Sequence, residues 1–160
     1  MKRILTTAWV AASIAGLSVE GLAQETTYSK DIKPLFEAKC AGCHGPASPY
    51  FGEFEKDTKK FAAAMKGPRM DSYADLVFFV GWPDTGAIMR RLDDGKSPGA
   101  GGKPGNMYQF LGASDDERQK NLEIFKSWVG AEGWNLKRWQ ARGKVPAITK
   151  EELDKIQVKY

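Results

Sequence analysis

The chain has 160 residues and a formal net charge of +4, with 24 lysine and arginine residues against 20 aspartate and glutamate residues. This length predicts a single domain. The cations are interleaved with the anions and form no basic patch of the kind that binds nucleic acid, so we predict no nucleic-acid partner.

The N-terminus has the layout of a secretory signal peptide. Lys2 and Arg3 precede an uncharged, mostly apolar run that ends at Val19, and small residues close the stretch before Gln24. The run is shorter than the about 20 residues of a membrane-spanning helix. We therefore predict a signal peptide at 1–23 that is cleaved on export to the periplasm, and no stable membrane span in the mature protein.

Helical patterns follow in the first half of the mature chain. Residues 31–40 predict a helix that is capped by Asp31 and has Pro34 in its first turn. A charged, amphipathic helix is predicted for 55–65. The apolar run within 71–82 fits a helix or a strand by periodicity, and the surrounding pattern favours a helix.

The second half continues the helical pattern, beginning with a short helix at 87–92. Four glycines and two prolines within 96–105 predict a loop. Ser114 and Glu117 then form a capping box that starts a helix to Val129, stopped by Gly130, and Thr149 caps a last helix to about Gln157. Because no stretch alternates at period two, the fold class is predicted to be mainly α.

Both cysteines of the chain and its only histidine form one motif, Cys40-Ala41-Gly42-Cys43-His44. Two thiols three residues apart on a helical turn lie on one side, where they can add to the two vinyl groups on one edge of a porphyrin. The next residue carries its imidazole under the ring, toward the iron. The motif predicts one covalently bound haem c, attached through Cys40 and Cys43 and ligated by His44.

Other interpretations of the cysteine pair are weaker. A disulfide between Cys40 and Cys43 would close a very small loop and would therefore stabilise the fold little. A structural zinc site needs four ligands, whereas the chain offers two cysteines and one histidine. A thioredoxin-like dithiol would follow a strand in a βαβ pattern, which the sequence lacks.

The second axial ligand cannot be another histidine, because His44 is the only one. The methionines beyond the signal peptide are Met65, Met70, Met89 and Met107. Met65 and Met89 occupy packing positions on predicted helices, and filling core gaps is the usual role of methionine. Met107 follows the glycine-rich loop, which can lay a thioether across the open haem face. We predict Met107 as the ligand, with Met70, in a glycine–proline turn, as the reserve.

The sequence resembles the class I cytochromes c. In that family an N-terminal helix runs into Cys-x-x-Cys-His, a C-terminal helix packs across it, and the ligand methionine lies in a loop shortly before that last helix. The matching parts of this chain are 31–40, 40–44, Met107 and 114–129. The resemblance implies a small, helical cytochrome c fold around one haem. Two features depart from the family pattern: Tyr108 stands where proline often follows the ligand methionine, and 131–160 forms an additional tail.

These patterns predict a cytochrome c domain at 24–130 and a C-terminal helical extension at 131–160, whose Trp134 and Trp139 pack on the core or on a partner. The predicted function is electron transfer and not enzymatic catalysis. The protein would pass single electrons between redox partner proteins in the periplasm, alone or as the cytochrome subunit of an oxidoreductase complex. The alternative is a haem protein with five-coordinate or weakly ligated iron that binds a small ligand.

Overall fold

The computed structural model describes residues 25–81, 86–136 and 148–160, and within these ranges the chain is helical and forms no strand. The helical segments, in chain order, are a π-helical turn Tyr28–Ile32, α1 Lys33–Lys39, α2 Ala41–His44, α3 Phe51–Lys56, α4 Thr58–Ala63, α5 Tyr73–Gly81, α6 Ala87–Leu92, a 3₁₀ turn Tyr108–Leu111, α7 Asp115–Val129 and α8 Lys150–Leu153. The prediction of a mainly α fold is confirmed. The predicted signal peptide, 1–23, lies outside the described residues.

The first helical segment begins earlier than predicted. The cap is Thr27, whose side chain accepts a hydrogen bond from the N–H of Lys30, whereas Asp31 lies inside the π-helical turn. The Asp31 carboxylate accepts the N–H of Thr27 at 2.8 Å, so the two side chains accept two backbone N–H groups at the start of this turn, those of Thr27 and Lys30. Pro34 lies at the start of α1, where no intrahelical N–H is needed.

The helix predicted for 55–65 is interrupted at Asp57. The side chain of Asp57 caps α4 by accepting the N–H of Lys60 at 3.0 Å, and aspartate competes in this way with continuous helix. The prediction that Met65 lies in the core is wrong, since the residue is 70 % exposed and has a positive φ of 54°. The left-handed turn after α4 carries this side chain into solvent.

The second half of the fold follows the predicted pattern closely. The apolar run becomes α5, and α6 has the predicted bounds Ala87–Leu92. Ser114 accepts the N–H of Glu117 at 3.2 Å and starts α7, which ends before Gly130 at a φ of 95°. Two details differ: the carboxylate of Glu117 accepts the N–H of Ala113 instead of that of Ser114, and α8 ends at Leu153 instead of near Gln157.

The core lies between the N-terminal turn, α5, α6, α7 and the end of the chain. Its buried members are Tyr28, Ile32, Phe36, Leu76, Phe79, Val80, Ala87, Ile88, Met89, Leu92, Leu111, Leu122, Phe125, Trp128, Val129, Trp134, Leu136 and Val158. The apolar face predicted for α7 is fully buried here. In the described ranges, none of the helices has the length and apolar character that crossing a membrane requires.

Residues of the predicted extension pack against this core. Trp134 is buried and its indole N–H donates to Asp93 at 2.8 Å. Near the chain end, the N–H groups of Gln157 and Val158 donate to the carbonyls of Val129 and Trp128. Trp139 lies outside the described residues, and the domain boundary at residue 130 stays a prediction.

Candidate haem site

The motif Cys40 to His44 occupies a single helical turn at the end of α1. Cys40 is the junction between α1 and α2, and its carbonyl accepts the N–H of Cys43 at 3.1 Å and that of His44 at 2.9 Å. Both cysteines are half-buried, free thiols. The local backbone therefore presents two thiols and one imidazole from a single turn.

The Cys40 thiol does not have the chemistry of a reactive redox cysteine. Its burial, with the neighbouring Cys43 adding a smaller effect, raises the pKa of Cys40 to about 12. A catalytic dithiol needs a lowered thiol pKa, because the thiolate is the nucleophile. The raised pKa of Cys40 therefore argues against the thioredoxin-like interpretation.

The imidazole of His44 is oriented by a backbone carbonyl. Its Nδ1–H donates to the carbonyl oxygen of Pro68 at 2.8 Å, which leaves the Nε2 lone pair for a metal. Burial lowers the pKa of His44, with a smaller lowering from the positive charge of Arg91, while the hydrogen bond to Pro68 raises it. The net lowering favours the neutral imidazole, which is the form that ligates iron.

Residues 66–70, here called the proximal segment, run alongside the haem motif. The N–H of Gly67 donates to the carbonyl of Cys43 at 2.9 Å, and the amine of Lys66 donates to that of Gly42 at 3.1 Å. A Cβ at Gly67 would lie 2.1 Å from Cε1 of His44, so only glycine allows the backbone to approach the ring this closely. The sequence predicted only a glycine–proline turn here and did not indicate that this turn holds His44.

Met70 lies beside His44 through its backbone. Its N–H donates to the carbonyl of His44 at 2.9 Å, so the proximal segment brings Met70 to the His44 side of the site. If His44 held the iron, a sixth ligand would come from the opposite face, so this backbone contact favours Met107 over Met70.

Met107 lies on a different part of the chain, directly before the 3₁₀ turn. Its N–H donates to the carbonyl of Arg91 at 2.9 Å, and its side chain is half-buried against the core. Arg91 lies in the last turn of α6, so this hydrogen bond attaches Met107 to the end of that helix.

The surroundings of the two other methionines do not suit a haem ligand. Met65 faces solvent, as described above. Met89 is 1 % exposed, and its sulfur accepts the N–H of Asn135 at 3.2 Å. Met107 and Met70 are thus the methionines whose surroundings allow the predicted role.

The donor set fits haem c. The site offers two free thiols on one turn and a neutral imidazole with one nitrogen directed by a carbonyl. Within the described part of the chain, no three side chains among His, Cys, Asp and Glu come together as a metal-binding group, which argues against zinc.

Comparison with known proteins is consistent with this site. The chain matches the family profile described as PccH cytochrome c over residues 27–160. It is similar to a solved structure described as the monoheme cytochrome PccH from Geobacter sulfurreducens, with 54% identity and a TM-score of 0.73. The similarity covers 86% of this chain and 100% of that one. A comparison with curated proteins gave no match.

Proposed function

Since the chain belongs to the PccH cytochrome c family and is a monohaem c-type cytochrome of the electron-transfer class, we propose that it is a periplasmic carrier with iron ligated by His44 and Met107. It carries one covalently bound haem c. In the proposal, it passes single electrons between redox partner proteins, alone or as the cytochrome subunit of an oxidoreductase complex. The haem supplies the redox chemistry, because its iron accepts and releases one electron at a time.

The hydrogen bond from His44 to Pro68 is the observation that carries this proposal. It holds the imidazole in one tautomer on the same turn as the two haem-binding thiols. A ligand held by a rigid neighbour does not have to reorient when the iron changes its charge. The proximal segment supplies that rigidity through its backbone bonds to the motif.

Two features support Met107 as the second ligand. Met107 precedes the 3₁₀ turn that leads into α7, and its backbone N–H donates a hydrogen bond to the carbonyl of Arg91 at the end of α6. A methionine ligand closes the second face of the iron and raises the reduction potential relative to two imidazoles. An iron closed on both faces favours electron transfer over the binding of a small ligand.

The periplasmic location is supported by the charge and length pattern of residues 1–23. Two cations followed by a short uncharged stretch and small residues are typical of a cleaved secretory signal. Sequencing the N-terminus of the protein purified from a periplasmic fraction tests the location and the cleavage position together. A mature chain that retains Lys2 would contradict the proposal.

We expect replacement of Met107 by alanine to remove the sixth ligand of the iron. The wild-type protein should have a low-spin spectrum with the weak ferric charge-transfer band that methionine–iron ligation produces in the red. Met107→Ala should lose this band, become high-spin and bind carbon monoxide or cyanide. The measurement is the absorption spectrum of the oxidised and reduced protein, with and without each ligand.

Met65→Ala provides the matched control, because it also replaces a methionine by alanine but at an exposed position. It should leave the spectrum unchanged. If Met70→Ala, and not Met107→Ala, produces the high-spin form, the ligand is Met70. A wild-type spectrum that is already high-spin and shifts with carbon monoxide would favour the small-ligand-binding alternative.

A further inference from the structure

The loop that carries Met107 is attached to α6 at three successive points. The N–H of Gly105 donates to the carbonyl of Asp93 at 2.7 Å, and the N–H of Met107 donates to that of Arg91 at 2.9 Å. Between them, the side-chain oxygen of Asn106 accepts a hydrogen bond from the Arg91 guanidinium at 2.9 Å. Arg91 therefore holds the loop by its backbone and by its side chain.

The approach of the loop to α6 is as close as a polypeptide allows. A Cβ at Gly105 would lie 2.3 Å from the carbonyl oxygens of both Arg90 and Arg91. Only glycine fits at such a distance. The backbone of Asn106 and Met107 thus has little room to shift toward α6, and the Arg91 guanidinium opposes movement away from it.

The far side of the loop is held by α7. The side-chain amide of Gln119 donates to the hydroxyl of Tyr108 at 2.8 Å and to Asp94 at 2.9 Å. Asn121 donates to the carbonyl of Leu111 at 2.6 Å. These bonds fix the 3₁₀ turn that follows Met107. Asn106, directly before Met107, accepts side-chain hydrogen bonds from Arg91 at 2.9 Å and from Gln109 at 3.4 Å.

We propose that Arg91 is a positioning residue that clamps Asn106 and thereby keeps the Met107 thioether on the iron, an inference that rests on the proposed ligation by Met107. The same hydrogen bond holds the positive charge of the Arg91 guanidinium next to the residue that precedes the proposed ligand Met107. Oxidation adds positive charge to the iron, so a nearby cation disfavours the ferric state and raises the reduction potential.

The clamp is tested by competition between Met107 and cyanide for the ferric iron. Asn106→Ala removes the acceptor and keeps the charge, whereas Arg91→Gln removes the charge. Each should increase cyanide affinity about 3- to 10-fold, the range expected when one hydrogen bond that favours the closed state is lost. Asn106→Asp keeps an acceptor oxygen and should retain the wild-type affinity.

The electrostatic part is tested by the reduction potential of the same variants. Arg91→Gln should lower the potential further than Asn106→Ala does. Lys150→Gln, which removes a cation from α8, provides the control for net charge and should change the potential least. A shift in Arg91→Gln no larger than that in Lys150→Gln would overturn the electrostatic part.

Cyanide affinities within twofold of wild type in both Arg91→Gln and Asn106→Ala would overturn the clamp. The Met107→Ala spectrum separates this outcome from a failure of the proposed function. If Met107→Ala loses the methionine band while the clamp variants behave as wild type, Met107 is the ligand and Arg91 does not position it. If Met107→Ala keeps the band, the ligand assignment itself is wrong.

Discussion

At the scale of single residues, the site depends on the absence of a side chain at Gly67. The proximal segment lies against the imidazole of His44 because no Cβ stands between them, and this contact lets the carbonyl of Pro68 reach Nδ1 at 2.8 Å. The glycine and the proline thus act through backbone atoms alone. Together they determine the tautomer and the direction of His44, the predicted haem ligand.

We expect Gly67→Ala to impair haem binding. The added Cβ would lie 2.1 Å from the ring, so the imidazole must tilt or the segment must withdraw and lose its bond to Nδ1. The haem-to-protein ratio of the purified protein, measured by pyridine haemochrome absorbance, should fall, and the low-spin spectrum should weaken.

The matched control for this change is Gly52→Ala on α3. A Cβ there meets nothing within 4 Å, so haem content should stay at the wild-type level. Equal haem content and identical spectra for the two variants would show that the close approach at Gly67 is not required.

At the scale of secondary structure elements, the start of α7 is coupled to the helix that carries the haem motif. Ser114 caps α7, and the carboxylate of Glu117 both accepts the N–H of Ala113 and pairs with the amine of Lys39 at 2.5 Å. The hydrogen bond from Lys39, followed by that from Ala113, lowers the pKa of Glu117. Because Lys39 directly precedes Cys40, the cap of one helix is connected to the end of the other.

Ser114→Ala should lower the free energy of unfolding by about 1 kcal/mol, the usual effect of losing an N-cap side chain. Chemical denaturation followed by circular dichroism measures this change, and the haem spectrum in water should stay unchanged.

The control for the cap is Ser127→Ala, at an exposed position on the same helix. It should be neutral or slightly stabilising, because alanine has the higher helix propensity. A loss of stability as large as that of Ser114→Ala would mean that the effect does not come from the cap.

At the scale of the whole molecule, the last residues of the chain connect the N-terminal π-helical turn to the end of α7. Gln157 and Val158 bond to the end of α7, and the carbonyls of Lys159 and Tyr160 accept the N–H groups of Tyr28 and Ser29. Rings from distant parts of the sequence pack around this junction: Tyr28, Tyr73, Trp128 and Tyr160. The end of the chain therefore belongs to the core and stabilises the fold directly.

Deletion of residues 157–160 should destabilise the protein by on the order of 3 kcal/mol or more. Several backbone hydrogen bonds and the burial of Val158 are lost together, at about 1 kcal/mol for each bond and 1.5–3 kcal/mol for a buried valine. The midpoint of thermal unfolding, followed at the haem and in the far ultraviolet, should fall by both probes.

Leu153→Ala serves as the control for the deletion, since this side chain is exposed and lies in the same tail. It should change the midpoint little. A deletion variant as stable as the wild-type protein would indicate that the chain end is dispensable for the fold.

Local patterns predicted those features whose causes lie within a few residues of sequence. The capped helix from Ser114, the bounds of α6 and the helical character of α5 follow from apolar periodicity, capping side chains and glycine stops. The cap at Thr27, the interruption at Asp57 and the exposure of Met65 were mispredicted, because at each place a single side chain or backbone torsion outweighed the periodic pattern.

The early end of α8 has a different cause. Periodicity allowed the helix to continue to Gln157, but the backbone N–H groups of Gln157 and Val158 bond to α7 instead. A helix there would have left the carbonyls of Trp128 and Val129 without these partners. Contacts between segments about 30 residues apart outweighed local propensity.

The haem attachment and one axial ligand were predicted from five consecutive residues, because thioether chemistry and ligation by the adjacent histidine depend on local spacing alone. The carbonyl that orients His44, the clamp that holds Met107 and the closure of the chain end could not be inferred in this way. Each joins residues that are far apart in sequence: Pro68 to His44, Arg91 to Asn106, and Lys159 to Tyr28. Their distances arise only when the helices pack, and packing is a property of the whole core.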